Sequence, residues 1–161
     1  MMDLARIGVI VGLVLAFAGV AVAQTEPKGS EINLCLPPYR TILAEGGFSG
    51  IGNCSGGTLR ANEAGEITFA EESYEIIDCR YTTASGPGGS AHGGQRILIF
   101  EGRKKYVGQY ALGTPPFHRV WVQGNSVYID VSASEGNKIK FDERGPPQNA
   151  YLAQAPASLF K

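Results

Sequence analysis

The sequence predicts an all-β protein, a small antiparallel barrel or sandwich, and three observations carry that prediction. Residues 96–142 alternate apolar and polar positions in short runs divided by turn residues, the pattern of half-buried strands. Glycine fills 22 of the 161 positions, about twice ordinary usage, so the chain is rich in turns. Beyond the first 23 residues no segment carries a helical-period apolar stripe. A chain of 161 residues with 43% hydrophobic and 18% charged residues suits one globular domain. The formal net charge of −1 argues against general nucleic-acid binding, which needs a strongly basic surface.

The chain opens on a short start with one base, Arg6, and one acid, Asp3. Ile7–Ala23 follows without a charge and ends in Ala21-Val22-Ala23, small residues where a signal peptidase reads. Residues 1–23 therefore read as a cleaved signal peptide, with Gln24 as the new N-terminus. An uncleaved anchor is the alternative, although the run is at the short end for a membrane span. The expected location is periplasmic or secreted. Residues 24–161 read as one globular unit, with a loop-rich segment at 24–57 and an all-β domain at 58–161.

Export permits a disulfide among Cys35, Cys54 and Cys79. Cys35 precedes a proline pair and Cys54 sits among glycines, so both read as loop residues. Cys79 lies in a strand pattern on the face of Ile77 and Tyr81, where a cysteine serves as a small hydrophobe. The favoured pairing is Cys35–Cys54, and Cys54–Cys79 is its rival. The cysteine spacing does not suit a metal site.

The elements follow in order. Residues 24–34 are polar and read as loose, and Tyr39–Ala44 as a short strand or a turn of helix. Thr58–Arg60 and Glu66–Ala70 read as two short strands joined by a turn at Ala64-Gly65. Tyr74–Thr83 reads as a longer strand with Asp78, Arg80 and Thr82 opposite Ile77, Cys79 and Tyr81. Ala84–Gln95, glycine-rich throughout, predicts a mobile loop. Five strands then form a predicted antiparallel meander over residues 96–142. They are Arg96–Phe100, Lys105–Leu112 with Tyr106, Gly108 and Tyr110 on one face, Phe117–Gln123, Ser126–Ser132 and Lys138–Asp142. Gly124-Asn125 is a two-residue hairpin signal. Near the end, Ala150–Gln154 reads as a short strand or helical turn, and Leu159 and Phe160 as a cap on the core.

Chemistry is sparse. Gly47–Gly50 and Gly88–His92 each miss the nucleophile-elbow pattern. Gly86–Ala91 fits G-x-G-x-x-A but precedes a predicted strand instead of opening a helix, so no cofactor is expected. The weak catalytic candidates are His118 and His92, with Ser90, Asp130 or Glu101 as partners. Binding candidates are clearer. Arg103-Lys104-Lys105 with Tyr106 makes a cationic hairpin tip, suited to a negatively charged partner. Tyr128 points away from Val127, Ile129 and Val131, towards solvent. The expected function is non-catalytic binding of a protein, such as a hydrolase to be inhibited, or of an envelope glycan. The alternatives are a small secreted hydrolase using His118 or His92, and a purely structural envelope component.

Overall fold

The structure is a computed structural model that describes residues 29–48, 54, 58–69, 71–84, 91–114, 117–130, 137–152 and 155–161. The expected signal peptide and Ser90 lie outside the described residues. The elements are β1 (Glu31–Ile32), α1 (Tyr39–Glu45), β2 (Thr58–Phe69), β3 (Glu72–Ala84), β4 (Ala91–Glu101), β5 (Lys105–Gly113), β6 (Arg119–Gln123), β7 (Ser126–Asp130), β8 (Lys138–Lys140), β9 (Asn149–Leu152) and β10 (Ala155–Ser158). All strand pairings are antiparallel. The described fold is thus mostly β, with one short helix.

Strands β1 to β5 form one sheet in sequence order, β6 to β8 a second, and β9 with β10 a two-stranded ribbon. The expected five-strand meander is therefore divided: β4 and β5 belong to the first sheet and β6 to β8 to the second. The chain leaves the first sheet at Gly113, whose φ of +97° suits glycine. Pro115 and Pro116 follow, and prolines have no N–H with which to continue a ladder.

Two further expectations are corrected by β-bulges. The predicted strands at Thr58–Arg60 and Glu66–Ala70 are one strand, β2, in which Ala64 is the extra residue between the pairs Glu63–Ile77 and Gly65–Ile76. Gly65 has φ +139°, and a Cβ there would lie 2.7 Å from Val122 Cβ on β6. What read as a turn is the place where the second sheet closes onto the first. On β5, Val107 is the extra residue between Gly108, opposite Ile99, and Tyr106, opposite Phe100. An extra residue reverses the alternation of faces. Tyr106 and Tyr110 consequently face opposite sides of the sheet, contrary to the sequence pattern.

The predicted loop over Ala84–Gln95 is also shorter than expected, because β4 already starts at Ala91 and pairs with β3 to the end of that strand. Tyr39–Glu45 resolves as helix α1, with Leu43 buried beneath it. The hairpin at Gly124-Asn125 forms as predicted, with φ +60° at Gly124.

The first sheet is covered on both faces. One face carries Ile76, Ile97, Ile99 and Tyr110 and meets Val127, Ile129, Ile139 and Phe141 of the second sheet region. The other face carries Ile77, Cys79, Leu98 and Phe100 and meets Leu34, Leu43 and Phe48 of the N-terminal segment. A Cys35–Cys54 disulfide staples that segment, and Cys79 is free and buried. Leu159 packs on the first core as expected, but Phe160 is 42% exposed. Its backbone pairs with Gln109 on the outer edge of β5, which turns the ring away from the core. No helix among the described residues is long and apolar enough to cross a membrane.

Candidate functional groove

The face of the first sheet that meets the second is apolar only along part of its length. Towards the Thr58 end of β2 the inward row turns polar: Thr58 opposes Thr82, Arg60 opposes Arg80, and Asn62 opposes Asp78. The start of β6 crosses this polar end and leaves a cleft of about 560 Å³, lined among others by Asn62, Glu63, Asp78, Arg80, Phe117, Arg119 and Trp121. A second cleft of about 290 Å³, lined by Thr58, Arg60, Arg80, Tyr81, Thr82 and Phe117, adjoins it. Arg80 and Phe117 line both, so the two clefts adjoin at that stacked pair and together make up the groove.

The floor of the groove is fixed by a hydrogen-bond clamp. Gln95 Nε2 donates to Asp78 Oδ1 at 2.8 Å and to the His118 carbonyl at 2.6 Å. The His118 N–H donates back to Gln95 Oε1 at 2.7 Å. Arg80 Nη2 donates to Asp78 Oδ2 at 2.8 Å and to the His118 carbonyl at 3.0 Å. Three of these five bonds thus hold the chain entering β6 against β3 and β4. Burial raises the Asp78 pKa above its ordinary value, against the lowering effect of Gln95 and Arg80.

Cations lie on rings along the groove. The Arg80 guanidinium sits 5.6 Å from the Phe117 centroid, and the Arg119 guanidinium 5.3 Å from that of Trp121. Trp121 stacks on Tyr128 of β7 with centroids 5.5 Å apart and planes 15° from parallel. Tyr128 lies on the opposite face of β7 from the buried Val127 and Ile129, but it is half-buried in that stack and not open to solvent as expected.

The other sequence candidates are dispersed. Arg103, Lys104 and Lys105 stay together on the β4–β5 turn, where Gly102 and Arg103 both have φ +55°. Arg103 Nε reaches the buried Glu75 Oε1 at 3.2 Å, and Lys105 Nζ donates to Glu101 Oε2 at 2.7 Å. Tyr106 is 2% exposed and packs against Phe48 and Phe100, so it belongs to the core and presents no surface. His92 is exposed on β4, in register with Thr83, and is not in a loop. His118 is half-buried, with its backbone held by the clamp, and Asp130 opposes Arg119 on β7.

Sequence reading missed the groove as a unit. Phe117 and Trp121 sharing a face was the available signal. The pairing of Arg60 with Arg80 depends on strand register across the β2–β3 hairpin, which no local pattern records. Neither a family model, nor a curated protein, nor a solved structure matches this chain.

Proposed function

We propose that this chain is an exported, non-catalytic β-domain that binds a protein or an envelope glycan, with the groove as the binding surface. The groove itself carries the reading. Its clamp fixes the backbone, leaving half-buried rings and arginines along an open channel. Such pre-ordered aromatic and arginine side chains are the residue types that dominate binding energies. The Cys35–Cys54 bridge supports the oxidising compartment that export supplies. The hairpin tip is the second candidate surface, but its arginine is committed to Glu75.

The test is retention of partners from envelope and secreted fractions on the immobilised protein, run in parallel with Trp121→Ala and with Lys104→Gln/Lys105→Gln. The groove reading expects one retained species, lost in Trp121→Ala and kept in the tip variant. Loss in the tip variant alone moves the site to the tip. N-terminal sequencing of the native protein is expected to begin at Gln24, and an intact Met1 would sink the export reading.

A further inference from the structure

We infer that the groove selects a carboxylated glycan, with Arg60 and Arg80 holding its acidic group. This deepens the binding reading above and rests on it. Three arginines and two acids line the groove, in a chain whose overall net charge is −1. Both acids are already engaged: Asp78 by Arg80 and Gln95, and Glu63 Oε2 by the Ser30 hydroxyl at 2.8 Å. Arg60 and Arg80 are direct cross-strand partners. Like charges in that position repel and destabilise the sheet. Arg60 is exposed and has no ion-pair partner among the described residues. Arg80 keeps Nε and Nη2 on Asp78, so a bound carboxylate would take the paired N–H groups of the Arg60 fork and lie against the remaining Arg80 nitrogen, which eases that repulsion.

The rest of the lining favours a sugar over an acidic peptide. Thr58, Thr82 and Asn62 offer side-chain hydroxyl and amide groups suited to ring hydroxyls, and Phe117 and Trp121 offer the apolar area that Arg80, Arg119 and Tyr128 leave uncovered. An acidic peptide is the competing class, since arginine clusters also recognise acidic motifs, but it brings no ring hydroxyls to Thr58, Thr82 and Asn62.

The experiment is calorimetric titration of the purified protein with oligogalacturonate, oligoalginate and hyaluronan, each beside its carboxyl-reduced neutral counterpart, and with polyglutamate. At least one carboxylated glycan is expected to bind saturably, with its reduced form and polyglutamate about tenfold weaker or worse, the size of one charge-assisted contact. Arg60→Gln, on an exposed side chain that leaves the clamp intact, is expected to weaken that glycan by a similar factor, and Arg144→Gln to leave it unchanged. Equal binding of the neutral form, equal binding of polyglutamate, or no effect of Arg60→Gln overturns the inference. If no glycan binds but the groove-dependent partner of the retention experiment is a protein, the inference fails and the binding reading stands. If nothing binds in either experiment, both fail.

Discussion

The two faces of the five-stranded sheet are packed by different chemistry. Beneath β7, β8 and the β9–β10 ribbon the contacts are apolar, with Ile76, Ile97, Ile99, Val127, Ile139 and Phe141 all but fully buried, and the buried polar groups of this face, Asp78 and Gln95, are gathered and hydrogen-bonded in the clamp under the start of β6. Beneath the N-terminal segment the apolar groups share space with Glu75, Cys79, Arg96 and Gln109. The Arg96 guanidinium sits within 6.0 Å of the Phe48, Tyr81 and Phe160 centroids and donates to Gln109 Oε1 at 2.9 Å. The three buried side-chain atoms without a hydrogen-bond partner among the described residues, Glu75 Oε2, Tyr106 Oη and Gln109 Nε2, all lie on this second face. Buried polar atoms of that kind cost stability that apolar packing does not. The second face is also the one with the disulfide. A covalent staple offsets weak packing by restricting the unfolded chain, whatever the quality of the contacts above it.

The largest test of this comparison uses neighbours on β4. Ile99 faces the apolar core and Leu98 the stapled one, and both are fully buried. Ile99→Ala is expected to cost about 4 kcal/mol, because two hydrogen-bonded sheets cannot close on the cavity. Leu98→Ala is expected to cost about 3 kcal/mol, because a seven-residue helix can settle into part of the space. Denaturant unfolding of both variants reads the order. A reversed order means that the N-terminal layer is the more rigid of the two.

Removing the staple comes next. The bridge spans 19 residues of sequence, a loop whose closure is worth about 3 kcal/mol in the chain-entropy account. Cys35→Ser with Cys54→Ser is expected to cost about that much. Hydrogen exchange locates the loss: α1 amides speed up while those of β7 keep their protection. Equal acceleration on both sides means that the faces unfold as one unit, and the comparison breaks.

A matched pair of hydroxyl deletions sharpens it further. Tyr39 Oη donates to the buried Glu75 carboxylate at 2.7 Å, and Tyr110 Oη donates to the Pro147 carbonyl. Burial and the Glu75 carboxylate push the Tyr39 pKa up to about 12. Tyr39→Phe leaves a buried charge with one donor fewer and is expected to cost about 2 kcal/mol. Tyr110→Phe removes a neutral bond and is expected to cost about 1 kcal/mol. Equal costs mean that Arg103 alone satisfies Glu75.

The same contrast explains what could be read from the sequence. The apolar face follows strict alternation, so Val127, Ile129, Ile139 and Phe141 were visible as inward positions. So was the Cys35–Cys54 pair, because Cys79 fell on a regular strand face. The bulges at Ala64 and Val107 were not visible, since a single extra residue has no periodicity of its own and reverses every face beyond it. That is why Tyr106 read as a partner of Tyr110. The division of the meander escaped for a related reason: hairpin signals show that neighbours pair, not where the chain changes sheets. The groove was the least visible part. Asp78, Gln95 and the His118 backbone meet only after three strands are in register, and each looks ordinary in its own segment.

The smallest expected effect sits in that clamp. Burial raises the Asp78 pKa above the ordinary 3.8, so the native state holds its proton more tightly than the unfolded chain does. As pH falls from neutrality through the native pKa, the folded state takes up a proton first, and this group's contribution shifts in favour of folding. The gain levels off once the unfolded carboxyl is also protonated, below 3.8. Asp78→Asn keeps the shape but cannot titrate. The stability of the wild type relative to Asp78→Asn is therefore expected to rise as pH drops from 7 towards 4, read by urea unfolding at each pH. A difference that stays flat means that Arg80 and Gln95 fully offset the burial of the carboxylate. A difference that falls on acidification means that they more than offset it, in which case the Arg80 charge is spent on Asp78 and only Arg60 remains to attract an anion into that end of the groove.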